Sequence, residues 1–587
     1  MRTAVWVGVI WMVASGMAQA EENRWWPTQG LPRVVVKAVS RQSSRGLQML
    51  EQSVAGLAAG AVNRQTGDEL VWVATGNLDC EAWYSAFLRE HADLEYRGEF
   101  DTWDLVDRFV QRGLIKGYIL YAQDTSAGEI NDHRQGMNRS VNVATSLAGL
   151  LDGILIDESL EAEARGKGLK LLLDVRDKSQ AWCFQNYQDQ FHRRLLVAQD
   201  PRKPHLRDLA IAHRALVLYG NDEPTEAALK WLEPLSVIAG WNGGDEFRTT
   251  QLSSIYGHLQ TATDWCHNLP VLMAGTHQTA PPAQKPFNPS GIDWKDSRSC
   301  VSFVLTDGDN VQWFEGSFFH GNSSFWNHPD RGKIPFGWSC CYTHLAQLCP
   351  QALGYAQGTQ HRQDRMIEWG GGYYYPDHFG SARSNAAELL ARHARRTWAQ
   401  MRATGTRIIG FNMARVDSPA ARQAYQTFAG ETDGLLAILA FQYAPYEGGA
   451  GKTFWVKDRR GVEIPVISAR YSIWEHANRR PRAGTPAKVA REIRDSTAGP
   501  QPRHDWVIVH AWSYFRRAEG GSEEAENLPQ DTASAQGGVR GYGPAIWCAE
   551  RLPDTVRVVT PEEMVWRIRR QHDPATTERL LELESGR

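Results

Sequence analysis

The second half of this chain of 587 residues repeats one pattern, a short apolar run followed by an amphipathic segment. Such alternation is typical of parallel strands joined by crossover helices. Eight units in about three hundred residues fit a (β/α)8 barrel, which typically takes about 250 residues or more. The apolar runs are Cys300–Leu305, Ile334–Gly337, Met366–Trp369, Arg407–Phe411, Leu435–Phe441, Ile464–Ser468, Trp506–His510 and Val556–Val559.

The first half alternates in a similar way, which predicts a parallel sheet covered by helices. A proline-rich stretch, residues 279–289, separates the halves and is interpreted as an extended linker, because proline resists helix and keeps its predecessor extended. A chain of this length is expected to form more than one domain. We therefore predict an α/β domain over residues 21–285 and a (β/α)8 barrel-like domain over residues 286–587.

Residues 1–20 have the composition of a secretory signal peptide. Arg2 precedes a short apolar run from residue 4 to residue 14, and Ala18-Gln19-Ala20 forms a small-x-small cleavage site. The run is too short to span a membrane comfortably, and no later stretch reaches spanning length. The sequence therefore predicts a secreted or periplasmic protein without a membrane span.

The composition is that of a globular protein. Hydrophobic residues make up 42% of the chain and charged residues 22%, and the net charge of −3 gives no electrostatic reason to bind nucleic acid. The eight cysteines are irregularly spaced and include no Cys-x-x-Cys pair, so a zinc cluster is not predicted and mostly buried thiols are expected. No metal or other cofactor is predicted.

Residues 370–376, with the sequence Gly-Gly-Gly-Tyr-Tyr-Tyr-Pro, are the most distinctive short motif. Glycine visits positive φ freely, tyrosine presents a flat ring with a hydroxyl tip, and proline stiffens the exit. A sugar needs such a loop, with a flat face against its C–H groups and hydrogen bonds at the edge. A tight turn packed with ordinary core tyrosines is the alternative interpretation.

The pattern Gly-x-Gly-Tyr-x-Tyr-Pro resembles the GxGYxYP family of "putative glycoside hydrolases". Residues 301–313, 334–338 and 560–564 are also similar to that family. In the first half, Gly240-Trp241 and Asp264-Trp265 look like parts of its amino-terminal domain. The resemblance covers nearly the whole mature chain. It implies a carbohydrate-active enzyme but no particular catalytic pair.

Functional residues of a (β/α)8 barrel lie just beyond the carboxyl ends of its strands. Reading those positions from the sequence gives a set of acids and a set of polar and aromatic residues. The candidate catalytic residues are Asp307, Asp309, Asp377 and Glu475. The candidate substrate-binding residues are Asn310, Trp313, Trp338, Tyr373, Tyr375, His378, His510 and Trp512.

Asp307 and Asp309 are the most constrained of these acids. Two carboxylates this close raise one another's proton affinity, which suits a general acid with an ionised partner. Capping of a helix that begins near Asn310 and ligation of calcium are alternatives. An EF-hand loop is excluded, because Gln312 stands where its sixth position requires glycine.

The sequence thus favours a secreted glycoside hydrolase that acts on an oligo- or polysaccharide through carboxylates at the barrel rim. A metal-dependent polysaccharide deacetylase-like enzyme is one alternative, with Asp307, Asp309 and either His378 or His510 as ligands. A carbohydrate-binding protein without turnover is the other.

We predict that export removes residues 1–20, because Ala18 and Ala20 follow a short apolar run. Amino-terminal sequencing of the exported protein should begin at Glu21. Exported protein that retains Met1 would contradict the predicted signal peptide.

Overall fold

The computed structural model describes residues 24–40, 44–132, 134–442, 449–475, 480–516 and 538–585. The predicted signal peptide lies outside these residues, so its removal and the export of the protein stay predictions. No helix in the described ranges is long and apolar enough to cross a membrane.

Three small sheets follow one another in the first half. Their strands lie in the orders β2-β1-β3, β5-β4-β6 and β10-β9-β7-β8, and the described pairings within them are parallel. The strands are β1 (Val34–Ala38), β2 (Glu69–Val73), β3 (Glu95–Phe100), β4 (Gly117–Tyr121), β5 (Gly153–Asp157), β6 (Leu171–Asp174), β7 (Leu195–Ala198), β8 (Leu216–Leu218), β9 (Val237–Gly240) and β10 (Leu259–Thr261).

Helices connect these strands and cover the sheets. The first of them is buried along most of its length, and Gly56 lets it approach Ile211 closely, since a Cβ there would lie 2.7 Å from the Ile211 Cβ. The helices are α1 (Arg45–Asn63), α2 (Leu78–Glu90), α3 (Thr102–Gln111), α4 (Ser140–Leu151), α5 (Glu161–Gly166), α6 (Gln180–Tyr187), α7 (Arg207–Ala212), α8 (Glu223–Trp231), α9 (Glu246–Ile255) and α10 (Leu269–Leu272).

The second half contains one large sheet of eleven strands. Its pairings are parallel except for the hairpin of β16 and β17, which turns at Gly461 with φ +81°. The strands are β11 (Ser299–Leu305), β12 (Phe336–Cys340), β13 (Asp364–Trp369), β14 (Ile408–Met413), β15 (Ala437–Gln442), β16 (Thr453–Lys457), β17 (Glu463–Ser468), β18 (Tyr471–Ile473), β19 (Ala483–Gly484), β20 (His504–Val509) and β21 (Val556–Val558).

The strand order shows that this sheet is curled, because β17 and β18 are consecutive in the chain but lie near opposite edges of the sheet. Strand β17 pairs with β15, and β18 pairs with β20, which lies beside β11. Between β17 and β18, the backbone N–H of Ala469 donates to Ala440 and that of Arg470 donates to Trp506. Strand β21 pairs with the amino end of β11. The observed element is a curled parallel sheet; the eight-stranded (β/α)8 barrel stays a prediction.

The helices of the second half alternate with these strands. Three of them begin with proline after a capping Ser418, Thr485 or Thr560, whose hydroxyl accepts a hydrogen bond from a backbone N–H of the first turn. The helices are α11 (Val311–Gly316), α12 (Tyr342–Leu348), α13 (Pro350–Gly358), α14 (Ala386–Thr404), α15 (Pro419–Gly430), α16 (Pro486–Ser496), α17 (Tyr542–Ala549), α18 (Pro561–His572) and α19 (Pro574–Ser585).

The sequence-based fold is confirmed at the level of class. Each of the eight predicted apolar runs overlaps a strand of the curled sheet. The first half is parallel α/β as predicted, although its strands divide into three sheets instead of one. The domain boundary at residues 285 and 286 stays a prediction. In the linker beside it, Gln284 is buried and its backbone N–H donates to the Thr404 carbonyl.

One apolar core joins the third small sheet to the curled sheet. The backbone N–H groups of Trp25 and Trp26 both donate to Oε1 of Gln347, at 3.2 and 3.4 Å. Gln260 in β10 and Tyr373 exchange two backbone hydrogen bonds, at 3.1 and 2.7 Å. The third sheet is thereby fixed against the loop of residues 370–376.

Candidate active site

The carboxyl ends of the curled-sheet strands and the third small sheet enclose a cavity of about 360 Å³. One wall comes from the loops that follow the strands of the curled sheet. The other wall comes from the first half of the chain. The lining residues are Asn131, Trp241, Glu246, Asp264, Trp265, Thr306, Asp307, Asp309, Asn310, Gln312, Trp313, Tyr373, Asn412, Phe441, His510 and Trp512.

The structure brings together seven of the twelve residues selected from the sequence. Those that line the cavity are Asp307, Asp309, Asn310, Trp313, Tyr373, His510 and Trp512. Those that lie elsewhere are Trp338, Tyr375, Asp377, His378 and Glu475. The catalytic and binding roles of all twelve stay predictions.

The turn after β11 fixes the first carboxylate. Asp307 has φ +61°, a left-handed conformation that few residues other than glycine adopt. Its Oδ2 accepts a hydrogen bond from the Thr306 hydroxyl at 2.5 Å, and its Oδ1 accepts one from Nε1 of Trp512 at 3.1 Å. A Cβ on Gly308 would lie 2.5 Å from Oγ of Ser339, so the turn packs directly on β12. These contacts hold the Asp307 carboxylate at the cavity wall.

Asp309 has different surroundings. It is 5% exposed and makes no ion pair with a described residue. Burial is the main cause that raises the pKa of its carboxyl group well above the usual range, and the negative charges of Asp307 and Glu246 raise that pKa further. The site therefore favours the protonated form of Asp309, which can donate a proton to a bound molecule.

Glu246, at the start of α9, is a third carboxylate on the opposite wall. Its Oε1 accepts a hydrogen bond from the Tyr373 hydroxyl at 2.6 Å. The Tyr373 ring stacks on Trp241, with centroids 5.9 Å apart and planes 12° apart. Only residues that follow strands of the second half were selected from the sequence. Glu246 was not among them, because it lies in the first half. In the sequence, the nearby Gly240-Trp241 segment was the feature that indicated this region.

The three glycines of the loop place Tyr373 in this site. Gly370, Gly371 and Gly372 have φ values of +74°, +68° and +124°, which side chains tolerate poorly. A Cβ on Gly371 would lie 2.7 Å from Oγ1 of Thr397, and one on Gly372 would lie 3.0 Å from the Cβ of Leu259. The loop therefore needs glycine for both conformation and space.

Two buried histidines hold the carbonyl groups of this loop. His393 donates from Nε2 to the Gly370 carbonyl at 3.0 Å, and His344 donates from Nε2 to the Gly371 carbonyl at 2.9 Å. Burial lowers the pKa of each ring to about 3. Nδ1 of His344 accepts a hydrogen bond from Nε1 of Trp26 at 3.0 Å. Neutral histidines thus connect the amino-terminal arm to the glycines.

A buried glutamate completes the support beneath the loop. Oε1 of Glu368 accepts hydrogen bonds from the backbone N–H of Gly371 at 3.2 Å and from the Thr343 hydroxyl at 3.2 Å. Burial raises the pKa of Glu368 to about 8. Glu368 does not line the cavity. It is a structural acid that sequence reasoning did not select.

Aromatic rings and two buried polar atoms shape the remaining walls. Trp313 and Trp512 pack edge to face, with centroids 4.8 Å apart. Nε1 of Trp313 and Oδ1 of Asn131 are buried and have no hydrogen-bond partner among the residues that the structure describes. One is a donor and the other an acceptor, and both residues line the cavity. A bound polar molecule could satisfy both atoms.

Asp264 is a lining carboxylate that has a cationic partner. It forms a buried ion pair with Lys203, whose ammonium lies 3.6 Å from the centroid of the Trp265 ring. Oδ2 of Asp264 also accepts a hydrogen bond from Nδ2 of Asn131 at 2.8 Å. This contact orients Asn131 in the cavity wall.

Three selected residues that lie outside the cavity have aromatic or histidine side chains. Trp338 is fully buried within β12 and donates from Nε1 to Oδ1 of Asp364 at 3.0 Å. Tyr375 stacks on Phe247 with centroids 5.1 Å apart. His378 lies in a short 3-10 turn, and its Nδ1 is 3.1 Å from Nε2 of Gln251.

The two selected acids outside the cavity hold backbone groups. Asp377 accepts hydrogen bonds from the backbone N–H groups of Ala414 and Arg415, at 3.1 and 2.9 Å. Oε2 of Glu475 accepts one from the backbone N–H of Tyr514 at 2.7 Å. Both acids therefore stabilise loops that follow strands of the curled sheet.

The described residues form neither a disulfide nor a cluster of potential metal ligands. All eight cysteines are buried free thiols. No three His, Cys, Asp or Glu side chains among the described residues are arranged so that they could hold a metal ion.

Three parts of the chain match domains of a known protein family. Residues 297–518 match the "GxGYxYP putative glycoside hydrolase C-terminal domain". Residues 115–191 match the family's second amino-terminal domain, and residues 193–274 match its third domain. These last two ranges contain the second and third small sheets. The chain belongs to the GxGYxYP family, as its motif predicted.

Comparison with solved structures supports the fold. A crystal structure described as a putative hydrolase from Bacteroides thetaiotaomicron VPI-5482 is similar, with a TM-score of 0.74 and 22% sequence identity. The alignment covers 94% of this chain and 97% of that one. A domain of unknown function from Bordetella bronchiseptica aligns with a TM-score of only 0.13 at 10% identity. No curated protein matches the chain.

We predict that Gly371→Ala destabilises the protein by roughly 1–3 kcal/mol, because alanine is strained at positive φ and its Cβ would meet Thr397. Denaturant unfolding measures the change. Gly358→Ala is the matched control, since a Cβ there meets nothing within 4 Å. Equal stability of the Gly371→Ala variant and wild type would contradict the role given to this glycine.

We predict a pH-dependent stability gain for Asp309→Asn. The raised pKa of the folded Asp309 means that wild type loses stability as pH rises from the unfolded pKa, about 4, towards the folded value. Asparagine has no such titration. The melting temperature of the variant, relative to wild type, should therefore increase with pH.

Asp417→Asn is the control, and its effect on stability should change with pH in the opposite direction. Its hydrogen bond with Lys452 lowers the pKa of Asp417. Wild type therefore gains stability from Asp417 above the unfolded pKa and loses it as pH falls through the folded value. Parallel pH profiles for wild type and the Asp309→Asn variant would refute the burial argument.

Proposed function

We propose that this protein is a glycoside hydrolase that cleaves an oligo- or polysaccharide in the cavity between the third small sheet and the curled sheet. The observation that carries the proposal is the surroundings of Asp309. This carboxyl group is buried, its pKa is raised, and two further carboxylates lie nearby. Glycoside hydrolysis needs such an acid beside an ionised partner.

In this proposal Asp309 protonates the glycosidic oxygen of the leaving group. Glu246 is its partner and acts at the sugar carbon, directly as a nucleophile or through water as a base. The two acids come from opposite walls of the cavity, as a pair that flanks a scissile bond requires. The Tyr373 hydroxyl donates a hydrogen bond to Oε1 of Glu246 at 2.6 Å, which orients this carboxylate.

Asp307 has a supporting role in this mechanism. Its charge raises the proton affinity of Asp309. Hydrogen bonds from Thr306 and Trp512 hold the Asp307 carboxylate in place. Asp307 therefore adds to the effect of burial in keeping Asp309 protonated until a substrate accepts the proton.

The cavity charge favours a neutral or amino sugar as substrate. Of the four lining carboxylates, Asp309 is held in its protonated form and Asp264 is paired with Lys203, so Asp307 and Glu246 supply the negative charge. No lysine or arginine is among the described lining residues. A uronate or a sulfated sugar would be repelled there. Trp241, Trp313 and Trp512 offer apolar ring faces to the C–H groups of a sugar.

The architecture is consistent with this proposal. We infer that the curled sheet is a variant of the (β/α)8 barrel, since the cavity lies at the carboxyl ends of its parallel strands. The predicted signal peptide would deliver the enzyme to polysaccharides outside the cytoplasm. The deacetylase-like metalloenzyme and the binding protein without turnover stay the alternatives.

We predict that Asp309→Asn and Glu246→Gln retain the fold and sugar binding but lose turnover by about 10²–10⁴-fold, because each removes one member of an acid/base pair. Hydrolysis is measured on a panel of aryl glycosides and neutral polysaccharides, and binding by calorimetry. Asp377→Asn is the matched control, since Asp377 lies outside the cavity.

Three results would redirect the assignment. Unchanged turnover in the Asp309→Asn variant would refute Asp309 as the acid. Binding without hydrolysis of any substrate by wild type would favour a carbohydrate-binding protein. Loss of activity on chelation, with recovery on added metal, would favour the deacetylase-like alternative.

A further inference from the structure

A second cavity, of about 380 Å³, has the opposite charge. It lies where the amino-terminal arm, residues 24–28, meets the end of α1 and the segments that flank β7 and α7. Four arginines and two histidines line it: Arg24, Arg64, Arg194, Arg214, His192 and His213. None of its described lining residues is an aspartate or glutamate.

The positive charges in this cavity are poorly compensated. Arg64 pairs with Asp152 at 3.1 Å. Arg24, Arg194 and Arg214 make no ion pair with a described residue, and each donates instead to a neutral oxygen. These three arginines are half-buried, so each side chain is partly removed from water without a compensating anion. The unpaired guanidinium groups therefore indicate an anion that binds from outside.

Buried donors in the cavity also lack partners. Trp25 is 2% exposed, and its Nε1 has no hydrogen-bond partner in the described structure. Nε of Arg24 is also buried and has no hydrogen-bond partner among the described residues. An unsatisfied buried donor is costly, so a ligand that accepts hydrogen bonds would stabilise this wall.

Burial disfavours the charged forms of groups in this cavity. Burial first, and then the charge of Arg194, lowers the pKa of His192. Burial also lowers the pKa of Arg24 to about 10 and that of His213 to about 3. A bound anion would offset the cost of burying the positive charge of Arg24.

We propose that this cavity binds a tetrahedral oxyanion, a sulfate or phosphate group, either free or carried as an ester on a body the size of a monosaccharide. The four arginines come from four separate segments and approach a tetrahedral group from more directions than a flat carboxylate offers. The volume exceeds what the oxyanion needs and falls in the range of small-molecule sites.

The cavity wall is rigid before any ligand binds. Trp25 stacks on His344 with centroids 4.7 Å apart, and Trp26 donates from Nε1 to the same histidine. Both backbones are held by Gln347. Preorganised groups of this kind lose little entropy on binding. The proposal does not depend on catalysis in the first cavity.

Calorimetric titration of the full-length protein with inorganic sulfate, inorganic phosphate and glucose 6-sulfate tests the proposal. We expect saturable binding of at least one of them. Tighter binding of the ester would identify an organic ligand, and tighter binding of an inorganic ion would identify a free oxyanion. Arg24→Gln and Arg194→Gln should each weaken binding about 10- to 100-fold, because each removes a charge-assisted hydrogen-bond donor.

Arg193→Gln is the matched control. It removes the same charge from the neighbouring position, but Arg193 is exposed and does not line the cavity. Thermal unfolding without ligand checks that all three variants fold. Absence of saturable binding to wild type would overturn the proposal. Equal weakening by Arg193→Gln and the two cavity variants would also overturn it.

Discussion

The exchange of backbone hydrogen bonds between Gln260 and Tyr373 is the contact on which the candidate site depends. It joins an edge strand of the third small sheet to the glycine–tyrosine loop of the curled sheet. Three consecutive glycines at positive φ make this approach possible, and a Cβ on Gly372 would already lie 3.0 Å from Leu259. Without it, Glu246 and Tyr373 would not line the same cavity as Asp309.

Groups held in their neutral forms surround this contact. His344 and His393 donate to glycine carbonyls, and burial keeps both pKa values at about 3. Burial also raises the pKa of Glu368 beneath the loop and that of Asp309 in the cavity. Burial therefore shifts the pKa values of structural and of candidate catalytic residues alike. The two kinds of residue differ in position, because Asp309 lines the cavity and the others do not.

The sequence predicted the strands of the curled sheet well, because strands buried on both faces consist of continuous apolar runs. It did not predict α1, which is buried on most sides and lacks a polar stripe, or β3, whose sequence Glu-Tyr-Arg-Gly-Glu-Phe is mostly polar. The predicted strand Ile334–Gly337 ended too early. The observed strand extends to Cys340, which places Trp338 inside the sheet instead of at its rim.

Asp307 and Asp309 could be selected because they directly follow a clear strand, whereas Glu246 required the packing of two halves that are distant in sequence. Neutron diffraction from crystals exchanged into D₂O at neutral pH tests the central claim most directly. The account predicts deuterium on a carboxylate oxygen of Asp309. An Asp309 carboxylate without deuterium would contradict the proposal that this residue is the proton donor.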